Sequence, residues 1–235
     1  LRPSRSTFVV SAGARVAEPV SAGAHVAEGA GVSVAEGATA SGPLELAPDT
    51  PVVGLVGRLQ PWKGQDRLLS AHALLRQRGH SIHTVIVGGD AYGLSPEYSA
   101  SLPALVDRMG LTAAVTMTDQ VPDAGPYIEQ MDILVNASDP EPFGIVLLEA
   151  MARGVAVVAV NSGGPAEFIE HGRTGMLASS GRPEDLADAL QPLLASPALR
   201  RELGEAGRRR FMRDFTDVAL RERFFARMEE LAAPA

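Results

Sequence analysis

The chain has 235 residues, 46% of them apolar, which is enough to bury a sizeable core in one or two domains. A formal charge of −7 gives the molecule no general attraction for nucleic acid or anionic lipid, so a bound anion has to meet a local cluster of basic groups. With no cysteine there are no disulfides and no thiolate metal sites, and no stretch approaches the roughly 18 apolar residues of a membrane span.

Residues 1–43 differ from the rest. From Val16 they read VAEPVS, AGAHVA, EGAGVS, VAEGAT, a six-residue cadence like the hexapeptide coils of left-handed β-helices. Four hexapeptides make little more than one coil, and a solenoid needs about three stacked units, so a flexible Ala/Gly-rich segment is expected. Arg15 interrupts the early apolar run and no secretory cleavage pattern follows. The first residue is Leu, and the chain is read as a fragment, a processed product or a trimmed piece.

From Pro51 the pattern alternates. TPVVGLVG (50–57) reads as a strand and QDRLLSAHALLRQRG (65–79) as an amphipathic helix ending at glycine. HTVIVGG is a strand, and SPEYSASLPALVDRMG is helical with a break expected at Pro103. AVTMT, DILVNA, VAVVAV (155–160) and GMLAS are strands. PYIEQM, residues 143–153 and a turn led by Pro165 are helical, as are 183–195, 197–213 and about 216–232. Near-continuous apolar strands separated by helices indicate a parallel sheet covered on both faces. Six such strands with right-handed crossovers give an α/β, doubly wound, Rossmann-like fold over 44–235 in the order 3-2-1-4-5-6.

That order reverses between the first and fourth strands, and ligand is expected over the loops that follow them. They are GRLQPWKGQD (57–66) and SDPEPFG (138–144), the two most chemically unusual loops in the chain. Arg58 and Lys63, bracketed by Gly57 and Gly64, suit a diphosphate: an arginine fork takes two oxygens and an ammonium acts as a point charge. The bland alternative is a solvated basic turn, or Arg58 paired with a carboxylate. Trp62 is expected to anchor the loop. In the helix from 143, apolar residues cover nearly the whole circumference and only Glu149 and Arg153 are polar. Either the two form an i,i+4 pair on a narrow exposed stripe, or Glu149 accepts two hydroxyls of a vicinal diol such as a ribose, with the N–H groups near Phe143 and Gly144 capping a phosphate or sugar oxygen. Glu141 then faces a group about a sugar's length away.

The segments GLVGRLQPWKGQDRLL, VIVGGD, SDPEPFGIVLLEAMARGVAVVAVNSGGPAEFI and HGRTGML resemble the C-terminal domain of family-four retaining glycosyltransferases of GT-B architecture. The resemblance covers about 44–235, and its Glu-(seven residues)-Glu element is specific. It implies transfer of a sugar, with retention, from a nucleoside-diphosphate donor such as a UDP- or GDP-sugar. Arg58 and Lys63 would then neutralise the diphosphate, Glu141 contact the donor sugar and Glu149 bind the ribose. The backbone at Phe143, Gly144 and Ile145 would lie against sugar and phosphate, with Gly57 opening the cationic loop. No cofactor is implied, and no metal, since there is no Asp-x-Asp motif. The acceptor is left open as a carbohydrate, lipid or small molecule.

Residues 1–43 are too short for the N-terminal acceptor domain of that family, so the chain is read as the donor-binding half, able at most to bind donor weakly. A non-catalytic nucleotide-sugar-binding module is the alternative. Asp119 stands where the family often has glycine. Exposed apolar surface is expected at Phe224 and Phe225, on the helix that would cross to the absent domain. The run RRR (208–210) reads as a solvated face; peripheral association with anionic lipid at the inner face of the membrane is its other reading, for a protein expected in the cytoplasm. A dehydrogenase lacks its Gly-x-Gly-x-x-Gly, a P-loop nucleotidase lacks its Gly-Lys-Ser/Thr, and a glycosidase leaves Arg58 and Lys63 without a task. The five histidines are read as structural.

Overall fold

The structure, a computed structural model, describes residues 49–232; the expected flexible segment at 1–43 lies outside them. Six parallel strands form one sheet in the order β3-β2-β1-β4-β5-β6, as the alternation of apolar runs and helices predicts. They are β1 (Val52–Val56), β2 (His83–Val87), β3 (Val115–Met117), β4 (Ile133–Asn136), β5 (Ala156–Val160) and β6 (Met176–Ala178). β1 pairs along its whole length with β2, from Val52 opposite His83 to Val56 opposite Val87. On its other side it meets β4, with Val53 opposite Ile133.

Side chains alternate across a strand, so the central strands feed two cores. Val53, Leu55, Ile133, Val135, Val158 and Val160 face one layer, with Leu68, Leu75, Leu186, Leu190 and Leu193 from α1 (Gln65–Gln77) and α6 (Pro183–Ala195). Val52, Leu134, Val157 and Ala159 face the other. There they meet α3 (Gly125–Ile128), α4 (Ile145–Ala152) and Phe168 of α5 (Pro165–Phe168).

A smaller cluster lies under α2 (Pro96–Arg108), which runs unbroken through Pro103, against the expected break. Proline removes one helical hydrogen bond, a cost of about 3 kcal/mol. Leu102 and Val106 on either side of it are fully buried against Leu69, Ile86 and Leu111. Two such burials, each worth about 1.5–3 kcal/mol, offset the loss and hold the helix together.

α7 (Pro197–Asp214) packs on β5 and α4, starting from Ser196, whose hydroxyl accepts from the Leu199 N–H. α8 (Asp217–Ala232) is different. Val218, Leu220, Phe224, Phe225, Met228 and Leu231 are all exposed along it, so the apolar face expected at Phe224 and Phe225 is there and is longer than expected. With Phe143 and Phe215 it borders an open groove of about 1070 Å³. The arginine run at 208–210 is only partly a solvated face: Arg208 and Arg209 are exposed, but Arg210 turns inward to pair with Glu170 and lies 3.9 Å from Asp214.

Candidate functional site

The winding reverses between β1 and β4, and the loops that follow these strands are tied together by backbone. The Asp139 N–H donates to the Trp62 carbonyl at 3.3 Å. Arg67, in the first turn of α1, donates to the same carbonyl at 2.9 Å. Gly64 opens α1 with φ of 74°, and a Cβ there would lie 2.6 Å from the Ala137 carbonyl oxygen, so only glycine permits this approach.

On this frame Lys63 and Glu141, 78 positions apart in sequence, meet: Lys63 Nζ lies 2.8 Å from Glu141 Oε2. Their side chains are 17% and 8% exposed, so Lys63 is no solvated basic turn. The ammonium also sits 4.1 Å from the centroid of the Trp62 ring, a cation–π contact. Trp62 therefore anchors its loop through its carbonyl and holds the cation with its ring.

Glu141 is braced from behind. Asn136, the last residue of β4, donates from Nδ2 to Glu141 Oε2 at 3.0 Å. The Glu141 carbonyl accepts from Gly164 at 2.9 Å. Gly163 has φ of 70°, and a Cβ on it would stand 2.1 Å from that same carbonyl oxygen. Burial works to raise the Glu141 carboxyl, but hydrogen bonds from Lys63, Asn136 and Ser138 outweigh it and hold it below its usual range.

Two of the other expected residues, both glycines, lie against this pair. Gly57 lies beside the Lys63 stem, 3.7 Å from Lys63 Cδ to where a Cβ would be, and Gly144 stands 3.5 Å in the same sense from Glu141 Cγ. Gly144 caps α4 with no side-chain hydrogen bond; the Leu147 N–H donates to the Gly144 carbonyl at 2.9 Å, and the Ile145 and Val146 N–H groups keep their donors for another partner. Phe143, Ile145 and Glu149 are exposed. Arg58 is exposed, pairs with no carboxylate among the described residues, and lends its backbone carbonyl to Gln65 Nε2 at 2.8 Å.

The expected alternative of a Glu149–Arg153 side-chain pair is not what forms. Arg153 donates to the Glu149 backbone carbonyl at 3.1 Å and sends its Nε to Glu129, 3.6 Å away. The Glu149 carboxylate is left without a hydrogen-bonding partner among the described residues. Its surroundings push its carboxyl upward: loss of water is the main cause, Arg153 opposes it and Asp123 adds to it.

Two contributors escape a reading of motifs alone. Asn136 carries the one available signal, a polar side chain closing an otherwise apolar buried strand at the switch point. Arg67 carries none, because its partner is a carbonyl. Of the histidines read as structural, His72 and His171 make internal bonds: buried His72 bonds Thr84 Oγ1 through Nδ1 at 2.9 Å, and His171 Nδ1 accepts from the Leu177 N–H at 3.0 Å, while His25 lies outside the described residues.

The family described as glycosyl transferases group 1 matches residues 28–210. A D-inositol 3-phosphate glycosyltransferase of Rhodococcus opacus is 38% identical over 159 residues, 66% of this chain and 35% of that protein. The crystal structure of Anabaena Alr3699/HepE in complex with UDP-glucose superposes with a TM-score of 0.70 at 28% identity, over 77% of this chain and 49% of that one. The fold is also that of the C-terminal domain of a glycosyl transferase group 1 family protein, LpcC of Francisella tularensis, with a TM-score of 0.65 at 24% identity over 71% of this chain and 87% of that one. The chain thus spans about a third of the length of the curated relative and half that of the Anabaena structure.

Proposed function

This chain belongs to the glycosyl transferases group 1 family, and on that premise we propose that it is the donor-binding half of a retaining glycosyltransferase. The donor is a nucleoside-diphosphate sugar, and the acceptor is a carbohydrate, lipid or small molecule held by a further domain. The observation that carries the reading is the Lys63–Glu141 pair, a half-buried cation and a buried carboxylate set side by side at the switch point of the sheet. A structural neighbour holds UDP-glucose, which supports this class of donor.

Lys63 and Arg58 face the diphosphate, Glu141 orients the sugar and Glu149 takes the ribose hydroxyls. Phe143, Gly144 and Ile145 bring the start of α4 against the phosphate and sugar, and Gly57 leaves room for the Lys63 stem. The demanding step is departure of the nucleoside diphosphate, whose oxygens gain negative charge as the bond to the anomeric carbon breaks. The Lys63 and Arg58 cations and the unfilled N–H groups at the start of α4 stabilise that charge as it forms, the task a divalent ion performs elsewhere. A cation about 4 Å from a phosphate oxygen contributes roughly 4 kcal/mol of attraction at an effective dielectric near 20. Glu141 acts by positioning the sugar. The exposed face of α8 and the groove beside Phe143 are where the acceptor-side domain would rest, in a protein we place in the cytoplasm.

Calorimetry with UDP, GDP, NAD and ATP tests the reading. Binding of a nucleoside diphosphate, weakened at least tenfold by Lys63→Ala, about 1.4 kcal/mol, is the expected result. Preference for NAD, or indifference to Lys63→Ala, would overturn it.

A further inference from the structure

We propose that Asn136 is the positioning residue of the sugar subsite, holding Glu141 in place when a bound diphosphate draws Lys63 away; this rests on the donor-site reading above. β4 is fully buried, and Ile133, Leu134 and Val135 are the kind of residues such a strand prefers. Asn136 ends it at 5% exposure. An amide in that position costs free energy unless its hydrogen bonds are made, and a valine would avoid the cost. Both ends of the amide are engaged. Nδ2 donates to Glu141 Oε2 at 3.0 Å, and Oδ1 accepts from the Ser138 N–H at 3.0 Å, which fixes which way the amide faces.

The oxygen held by Asn136 is the one that Lys63 also holds, at 2.8 Å. Lys63 therefore serves two anions once a donor arrives. Its stem is flexible and its ammonium is a point charge, so it follows the stronger field of the diphosphate. Glu141, 6% exposed, would then lose its strongest partner and gain a negative neighbour. A buried carboxylate in that state turns away or takes up a proton unless another donor stays with it. Asn136 is such a donor, beside Ser138, and it holds the same oxygen that Lys63 leaves. Its own anchor, the Ser138 backbone, does not depend on Lys63, so the carboxylate keeps its aim at a sugar hydroxyl while the lysine changes partner.

The test uses the full chain, with UDP-glucose against UDP and GDP-mannose against GDP as paired probes. In Asn136→Ala the carboxyl resonance of Glu141 should titrate at higher pH than in the unaltered chain, and affinity for the sugar nucleotide should fall at least fivefold more than affinity for its free diphosphate. A Glu141 titration that does not move, or equal weakening of both members of a pair, reduces Asn136 to ordinary packing and overturns the proposal. If the variant does not fold, the unaltered chain still decides. The Asn136 side-chain amide signal should shift with the sugar nucleotide more than with the diphosphate, and an equal shift overturns the proposal. An unaltered chain that binds neither pair removes the donor-site reading, and this inference with it.

Discussion

Glu149 shows how a spacing rule misleads when a third residue intervenes. Four positions from Arg153 on an apolar helix, it invites an ion pair, yet Arg153 reaches Glu129 beyond α3, a neighbour that no count along α4 reveals. Its carboxylate is left open and its pKa is raised. In the proposed role Glu149 takes a hydroxyl on each carboxylate oxygen, which needs the ionised form, so nucleotide affinity should decline on acidification through a midpoint above the usual glutamate range. Glu149→Gln should weaken binding at neutral pH by about 1–3 kcal/mol and flatten that decline. Calorimetry across pH 4–8 checks both. For Lys63 and Glu141 the sequence placed the two residues at one crevice, from strand order and loop chemistry. Their direct contact was beyond it, because which of several nearby anions a lysine chooses depends on ångström distances that spacing does not encode.

At the level of elements, the ends of α1, α2, α6 and α7 were legible to within a residue or two, because Gly79, Pro96, Pro183 and Pro197 mark stops and starts. The break expected at Pro103 failed because local propensity yields to burial of the residues around it. The turn from Glu141 to Gly144 depends on the chain opposite. At Gly163 positive φ and the 2.1 Å approach to the Glu141 carbonyl leave no space for a methyl group. Gly163→Ala should cost about 1–3 kcal/mol, read from a urea midpoint, and should weaken sugar-nucleotide binding as well. Between α1 and β2, His72 gives a second expectation. Burial, with the charges of Arg76 and His83, lowers its pKa to about 4, so it is neutral when folded. The unfolded chain takes up the proton at higher pH, near 6.5. Stability from this group is therefore complete above about pH 6.5 and falls as pH drops toward 4, by on the order of 3 kcal/mol. His72→Gln should flatten the slope of stability between pH 4 and 6.5; a slope left unchanged would mean that other groups set it.

For the molecule as a whole, the sheet order was the most legible feature, since it follows from apolar strands of the right number and from crossover rules. The length of the exposed face on α8 was less so, because an amphipathic pattern does not say whether its partner is present. Six exposed large apolar residues on one helix are a liability in water. The chain should self-associate with rising concentration, and Phe224→Asp with Phe225→Asp should make it monodisperse with its circular dichroism unchanged. Sedimentation velocity decides, and a chain already monomeric at high concentration contradicts the expectation. The chain contains one tryptophan, and it is the ring on which the Lys63 ammonium rests. The protein therefore carries its own optical gauge: when an arriving ligand lifts that charge from the indole, the emission spectrum of the entire molecule reports the departure of a single lysine, with no label attached.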